Sequence, residues 1–330
     1  MNLRRRDFIT LLGGAAAAWP ITARAQQREQ MRRIAMLRFG TENDPGWPAQ
    51  RTALLEELAK LGWIEGRNLR IEFRFGAGDA NLGALAAELV RSTPDIIVTA
   101  GNAATRAVQQ ATQTIPIVMA AGGDTVVTGM ARNLARPEGN VTGFTVYEGS
   151  IAGKWLELLK QAAPHLTRVA LLYEPETGLM APSYIAAAEA AAPALSVETL
   201  AMPVRDAFDI VRAVDTFANS PNGGLVFLPV PRAGMLEVMF RLIQQYRLPA
   251  IYQTLSAVRA GGLISYGPDG VDLFRRAASY VDRLLRGAKV NELPVEFPTR
   301  FQLVVNLKAA KAIGLTIPES LLSRADDVIE

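Results

Sequence analysis

Three short turns combine small and polar residues in a way that suits holding a ligand rather than breaking a bond. They are Gly40-Thr41-Glu42-Asn43-Asp44, Ala100-Gly101-Asn102-Ala103-Ala104 and Ala121-Gly122-Gly123-Asp124-Thr125. Each follows a short apolar run. In open α/β sheets that is where ligands bind, beyond the carboxyl ends of strands and against helix N-termini. Gly101 and the Gly122-Gly123 pair would let an anion such as a carboxylate approach backbone N–H groups closely. Thr41, Glu42, Asn43, Asn102, Ala103 and Asp124 would supply the remaining contacts. Asn102 also has a plainer use, as the cap of its own helix. None of the turns is a phosphate loop: no G-x-x-x-x-G-K-[ST] occurs, and no G-x-G-x-x-G follows the first strand.

A second set of strand ends lies further along: Tyr173-Glu174, Leu228-Pro229-Val230, Tyr252-Gln253 and Tyr266-Gly267. Tyr173, Tyr252 and Tyr266 together would make a stacking wall for a flat or zwitterionic ligand. Glu174 would either pair a ligand ammonium or stand solvated, and the solvated reading is the simpler. Trp155 reads as core, and Trp47 sits in a loop near the expected cleft. A carboxylate at an exposed helix N-terminus gains about 0.3–1 kcal/mol, whereas micromolar binding needs about 8 kcal/mol. One lobe cannot supply that alone, so two lobes closing on a hinge are expected.

Bond-making chemistry lacks its parts. The chain has no cysteine and one histidine, His165, between Pro164 and Leu166 at an expected helix end. Thiol catalysis, Cys-ligated metals and disulfides are excluded, and a histidine-based triad or metal site has too few members. Asp124, Glu174 and Asp269 are the acid/base candidates for an enzyme, but no spacing brings two together and no G-x-S-x-G occurs. No cofactor or metal is expected.

These turns need a scaffold, and the pattern of the chain provides one. Short apolar, β-branched runs alternate with helical segments, which signals parallel sheets wrapped by helices. Strands are expected at 34–39, 69–75, 95–99, 115–120 and 141–144, with helices at 48–61, 82–90 and 102–111. The same grammar then restarts. Strands at 169–173, 197–201, 224–228, 249–252 and 262–266 alternate with helices at 154–162, 184–192, 207–219 and 235–246. A late helix over 272–286 carries Leu273, Ala277, Tyr280, Val281 and Leu284 as its apolar stripe. The proline-bearing segment 293–301 is extended. With 145–149 and 267–270, it forms three passages between two doubly wound lobes. One lobe comprises 32–145 plus 268–296, the other 146–267 plus 297–330.

The first 25 residues read as a removable export signal. Arg5-Arg6-Asp7-Phe8-Ile9 is a twin-arginine pattern, Leu11–Trp19 is mildly apolar, and Ala23-Arg24-Ala25 is a small-x-small cleavage site. The mature chain would begin near Gln26 in a periplasm, free rather than lipid-anchored. The whole sequence has 35 Lys+Arg and 32 Asp+Glu. The leader holds four arginines against one aspartate, so 31 of each sign remain. A neutral mature protein gives no phosphate-neutralising patch, which argues against nucleic acid as a partner. With 49% apolar residues and no disulfide, the fold must rest on its cores.

Several blocks together resemble a known family. They are the leader Arg5–Gly14, Leu61-Gly62-Trp63-Ile64-Glu65-Gly66-Arg67-Asn68 and Ile115-Pro116-Ile117-Val118. Leu134–Gly143, Gly153-Lys154-Trp155-Leu156-Glu157-Leu158-Leu159-Lys160 and Phe301–Lys308 complete the set. The chain resembles the ABC-transporter substrate-binding family that includes the tryptophan-type binding proteins, with a type I periplasmic-binding fold. The resemblance implies a soluble receptor that captures a small solute and delivers it to an ABC permease and its ATPase in the inner membrane. It also implies ligand contacts from Thr41–Asn43, Gly101–Ala103 and Gly122–Asp124. The family commonly has Asp-Pro-Val where this chain has Asp124-Thr125-Val126, a freer loop. The expected cargo is an amino acid or small carboxylate, bound by a monomer. A ligand-sensing module for a membrane receptor and a periplasmic enzyme on the same scaffold are the alternatives.

Overall fold

The computed structural model describes residues 31–76, 79–130, 132–175, 180–228 and 235–330. The proposed leader, residues 1–25, and Pro229-Val230 lie outside the described residues. Two sheets organise the chain. The first holds β1 (Arg32–Phe39), β2 (Leu69–Gly76), β3 (Ile96–Ala100), β4 (Ile117–Gly122) and β5 (Val141–Thr145), in the order β2-β1-β3-β4-β5. Every pair is parallel. β3 and β5 are buried along their full length, as strands covered on both faces must be.

Side-chain alternation along β1 divides this core into two layers. Ile34 and Met36 join Leu54 and Leu58 of α1 (Trp47–Lys60) and Leu273, Phe274 and Ala277 of α9 (Gly270–Leu285). Ala35 and Leu37 join Leu82, Ala86 and Leu89 of α2 (Asp79–Arg91) and Ala104 and Val108 of α3 (Asn102–Ala111). Trp47 is 4% exposed and meets Phe73, Phe75 and Phe274 edge-on. It is a core residue, not a cleft contact.

The second sheet holds β6 (Arg168–Tyr173), β7 (Glu198–Pro203), β8 (Gly223–Phe227), β9 (Ala250–Tyr252), β10 (Ile264–Pro268), β11 (Phe301–Asn306) and β12 (Asp327–Ile329). Their order is β7-β6-β8-β9-β10-β11-β12. Its connecting helices are α4 (Ile151–Ala162), α5 (Ala181–Ala191), α6 (Ala207–Ala218), α7 (Met235–Tyr246), α8 (Leu255–Arg259), α10 (Leu307–Ala312) and α11 (Glu319–Leu322). One core unites these elements, with Trp155, Tyr184, Val226 and Ile251 among its members. Trp155 is fully buried, as its apolar surroundings in the sequence suggest.

The chain passes between the sheets three times: from β5 to α4, from β10 to α9, and through 293–300 back to β11. The second passage explains the one antiparallel pair among the described strands, β10 with β11. β10 leaves its sheet at its carboxyl end and the chain returns at that end, so β11 must run backwards. The third passage lies alongside β5, with Thr145 N donating to Glu296 O at 3.0 Å and Glu296 N to Gly143 O at 2.9 Å. Gly143 has φ 131°, and a Cβ there would fall 2.1 Å from the Met119 carbonyl oxygen. No other residue fits that crossing.

Candidate ligand site

The carboxyl edge of the first sheet brings two of the three turns into contact. β3 ends at Ala100, and Gly101, at φ 96°, swings the chain into α3. Gly101 N donates to Ala121 O at 2.7 Å. A Cβ on Gly101 would lie 2.8 Å from Phe39 Cβ, so strand and helix approach more closely here than a side chain allows. Beneath the turn, the buried hydroxyls of Thr99 and Thr105 are 2.8 Å apart, and Thr105 donates to Gly101 O at 3.1 Å.

Among the described residues, no side chain caps α3. Asn102 does not fill that role: as the first residue of the helix, it accepts from Gly123 N at 2.5 Å through Oδ1. The side chain therefore fastens the turn after β3 to the turn after β4. Helix N-termini present unsatisfied N–H groups, and those of the first turn of α3 remain the donors at this edge.

The turn after β4 is largely self-contained. Asp124 Oδ1 accepts from Val126 N at 2.7 Å and Val127 N at 3.1 Å. Its carbonyl accepts from Thr128 N and Oγ1 at 3.0 and 2.7 Å. A Cβ on Gly122 would strike Met119 Sδ, and one on Gly123 would lie 2.7 Å from Met180 Cε. The room left by Gly122 is thus filled by Met119, and that left by Gly123 by the Asn102 amide and Met180. The freedom expected at Thr125 is also limited: Thr125 is fully buried, and its hydroxyl makes no hydrogen bond among the described residues.

Met180 belongs to the other sheet, just before α5, and its sulfur accepts from Asp124 N at 3.3 Å. Arg259 at the end of α8 donates to Pro45 O at 3.5 Å. Both contacts join the carboxyl edge of the first sheet to the second half of the molecule, so the two halves face each other across the turns named above.

The turn after β1 is open. Thr41, Glu42 and Asn43 are exposed, while Asp44 holds Arg38 Nη2 at 2.8 Å and Gly46 N at 2.9 Å. Arg38 is a feature the sequence reading passed over. It is 9% exposed, donates to Gln50 Oε1 at 2.5 Å and lies 5.4 Å from the Trp47 ring centroid. A buried guanidinium needs such partners. The signal was available, as the one charged residue within the apolar run 34–39.

The three tyrosines of the second sheet do not form one wall. Phe227 and Ser265 both pair with Tyr252, and Leu172 pairs with Phe227. Side chains alternate along strands, so Tyr173 and Tyr266 point to the face opposite Tyr252. Tyr252 is 3% exposed, stacks on Phe227 at 5.1 Å and meets Phe240 edge-on at 6.0 Å. Burial raises its hydroxyl pKa. Tyr266 is half-buried and stacks on Phe301 at 5.6 Å, and its carbonyl accepts from Trp155 Nε1 at 2.6 Å. Tyr173 closes β6 half-buried, its carbonyl accepting from Val204 N at 2.8 Å. Glu174 is 1% exposed, so the solvated reading fails.

A different aromatic group gathers at the first passage. Tyr147 meets Tyr184 edge-on at 5.3 Å, and Tyr184 leans on Trp155 at 5.3 Å. Gln253 Nε2 reaches both Val146 O and Tyr184 Oη at 3.4 Å. Burial pushes the Tyr184 hydroxyl pKa up. Only the position of Tyr147, inside a predicted passage, hinted at this group. His165 is exposed in the turn after α4. Among the described residues, no group of three His, Cys, Asp or Glu could hold a metal ion, and no helix is long and apolar enough to cross a membrane.

Comparison with known proteins bears on what such an edge does. The family described as ABC transporter substrate binding protein matches residues 41–329. The Tyrosine-binding protein of Clostridioides difficile (strain R20291) is 22% identical over 274 residues, 82% of this chain and 78% of that protein. The ABC domain from Streptococcus pneumonia solved in complex with L-Trp superimposes with a TM-score of 0.79 at 24% identity. It covers 91% of this chain and 100% of its own. A conserved domain protein from Vibrio cholerae O1 biovar eltor str. N16961 gives a TM-score of 0.77 at 27% identity, with coverage of 91% and 100%.

Proposed function

The chain belongs to the ABC transporter substrate-binding protein family, and from that premise we propose that it captures an amino acid between its two halves for import. Members of this family bind solutes rather than transform them. The uncapped N-terminus of α3, held beside the turn after β4 by Asn102 and faced by Met180, is the observation that carries the reading. A carboxylate placed there accepts from the first-turn N–H groups and meets the favourable end of the helix dipole. Thr41, Glu42 and Asn43, exposed on the open turn after β1, reach the same edge from the side.

Closure supplies the remaining affinity. Bringing 32–145 plus 268–296 against 146–267 plus 297–330 removes water from the ligand, and polar contacts strengthen as the local dielectric falls. Relatives whose names record tyrosine binding and an L-Trp complex favour an amino acid over a sugar. The leader reading has the mature protein free in the periplasm, and the family resemblance has it hand its cargo, as a monomer, to a permease and ATPase.

The test is a thermal-shift and calorimetric screen of the chain from Gln26 against the twenty amino acids and small organic acids, with X-ray scattering on each hit. Stabilisation by an α-amino acid with a smaller radius of gyration is expected. Stabilisation by none, or by sugars alone, refutes the proposal.

A further inference from the structure

Arg38 puts a full charge beneath α1, where it is 9% exposed. A guanidinium withdrawn that far from water needs fixed partners, and its partners shape the turn after β1. Asp44 takes Arg38 Nη2 on Oδ2 and Gly46 N on Oδ1, so both carboxylate oxygens are used inside the turn. The backbone closes in the same way: Asp44 O accepts from Trp47 N at 2.9 Å and Gly46 O from Gln50 N at 3.3 Å. Between them, Pro45 O accepts from no backbone N–H among the described residues. It faces the other half of the molecule, where Arg259 Nη1 donates to it at 3.5 Å.

Arg259 also stands on a firm mount. It is exposed at the last position of α8. The carbonyl before it, Val258 O, accepts from Gly261 N at 3.0 Å and from the buried Asn306 Nδ2 at 3.2 Å, which ties the end of α8 to β11. Both sides of the contact are therefore held. Its 3.5 Å separation lies just beyond the usual range of about 2.7–3.2 Å, so a small further approach of the halves completes the bond. We propose that Arg259 and Pro45 O form a clasp between the halves, and that Arg38 is the positioning residue that builds its landing through Asp44. The clasp rests on the capture reading for its purpose and deepens it, because it sets how readily the chain closes whatever solute it takes. A single hydrogen bond open to water is worth little, which suits a contact that must part each time the solute leaves.

The chain has no cysteine, so Glu56→Cys on α1 and Glu189→Cys on α5, both exposed positions, carry one nitroxide label in each half. Spin–spin distance distributions of the unliganded full chain then give its closed-to-open ratio. Arg259→Ala should lower that ratio about three- to tenfold, the range of one lost hydrogen bond, and Arg259→Lys should restore part of it. Arg38→Met should lower it as Arg259→Ala does, and the double variant no further than either alone, since both remove the same contact. If Arg38→Met does not fold, Asp44→Asn is read in its place: it keeps an oxygen for Gly46 N and loses the charge that holds Arg38. An Arg259→Ala distribution identical to wild type overturns the clasp. No effect of the Arg38 or Asp44 variant, or an effect that adds in full to that of Arg259→Ala, overturns the positioning role. Adding the twenty amino acids to the labelled wild type reads capture separately. Distances that never shorten refute that reading, while a clasp that still answers to Arg259→Ala stands.

Discussion

Replacing Asn102 by aspartate separates the structural duty of this side chain from the chemistry of the helix end it occupies. Aspartate keeps an oxygen where Asn102 Oδ1 accepts from Gly123 N at 2.5 Å. It also adds a negative charge at the first position of α3, which the helix dipole favours by about 0.3–1 kcal/mol. The melting temperature of N102D should therefore equal or slightly exceed that of wild type. A ligand carboxylate on the first-turn N–H groups would lie roughly 6 Å from the new charge. At an effective dielectric near 20, two like charges at that distance repel by about 3 kcal/mol, close to a hundredfold in affinity. N102A instead removes the acceptor and leaves the Gly123 N–H without it. That costs about 1–3 kcal/mol if the group stays buried, a drop of several degrees in melting temperature, with a smaller loss of binding. Calorimetry and thermal melts on the two variants read both effects. If N102D binds an amino acid as tightly as wild type, the carboxylate does not sit at α3 and the proposed site is wrong.

Met180→Ala deletes the contact that joins the halves at Asp124 N and Gly123. It should weaken every ligand alike by about three- to tenfold, within the range of one lost hydrogen bond, and reduce the ligand-induced contraction seen by scattering. Gly143→Ala forces a Cβ against the Met119 carbonyl and should cost more than about 4 kcal/mol, which denaturant midpoints or loss of soluble protein would reveal. Tyr252→Phe removes a buried hydroxyl that makes no hydrogen bond among the described residues, so stability in urea should hold or rise. Burial raises the hydroxyl pKa of Tyr184, Tyr252 and Tyr280 above its ordinary value near 10. The folded state then binds more protons than the unfolded state above pH 10. Stability should be level below that pH and fall above it, less steeply in Tyr252→Phe, by urea midpoints from pH 8 to 11.

Much of the scaffold could be read from local pattern because buried parallel strands are short, uninterrupted apolar runs. The runs at 34–39, 69–75 and 141–144 lie within observed strands, and the helices at 102–111 and 235–246 match residue for residue. β11 escaped because its first residues, Phe301 and Gln302, follow a proline-bearing passage, and its partner β10 lies across the whole of α9. The supposed tyrosine wall failed for a related reason. Which face a strand residue takes is set by register with a neighbour, and the pairing of Tyr252 with Ser265 cannot be read from either segment alone. At the site, glycine positions revealed where the backbone is close-packed but not what packs against it. Gly122 and Gly123 signalled open space, yet Met119, Asn102 and Met180 occupy it. Asn102 looked like a cap because that is its commonest local use, and only the neighbouring turn shows its other partner.

The returning strand β11 has a consequence for how the molecule is made. The first sheet lacks α9, and with it Leu273, Phe274, Ala277 and Val281, until the ribosome has passed residue 285. The second sheet lacks β11 until residue 306 has emerged and its edge strand β12 until residue 329. Neither half can finish before the other has started, so a nascent chain stopped at 145 would carry an uncovered apolar face. Assembly is therefore interlocked, and the two halves reach completion almost together, near the end of synthesis.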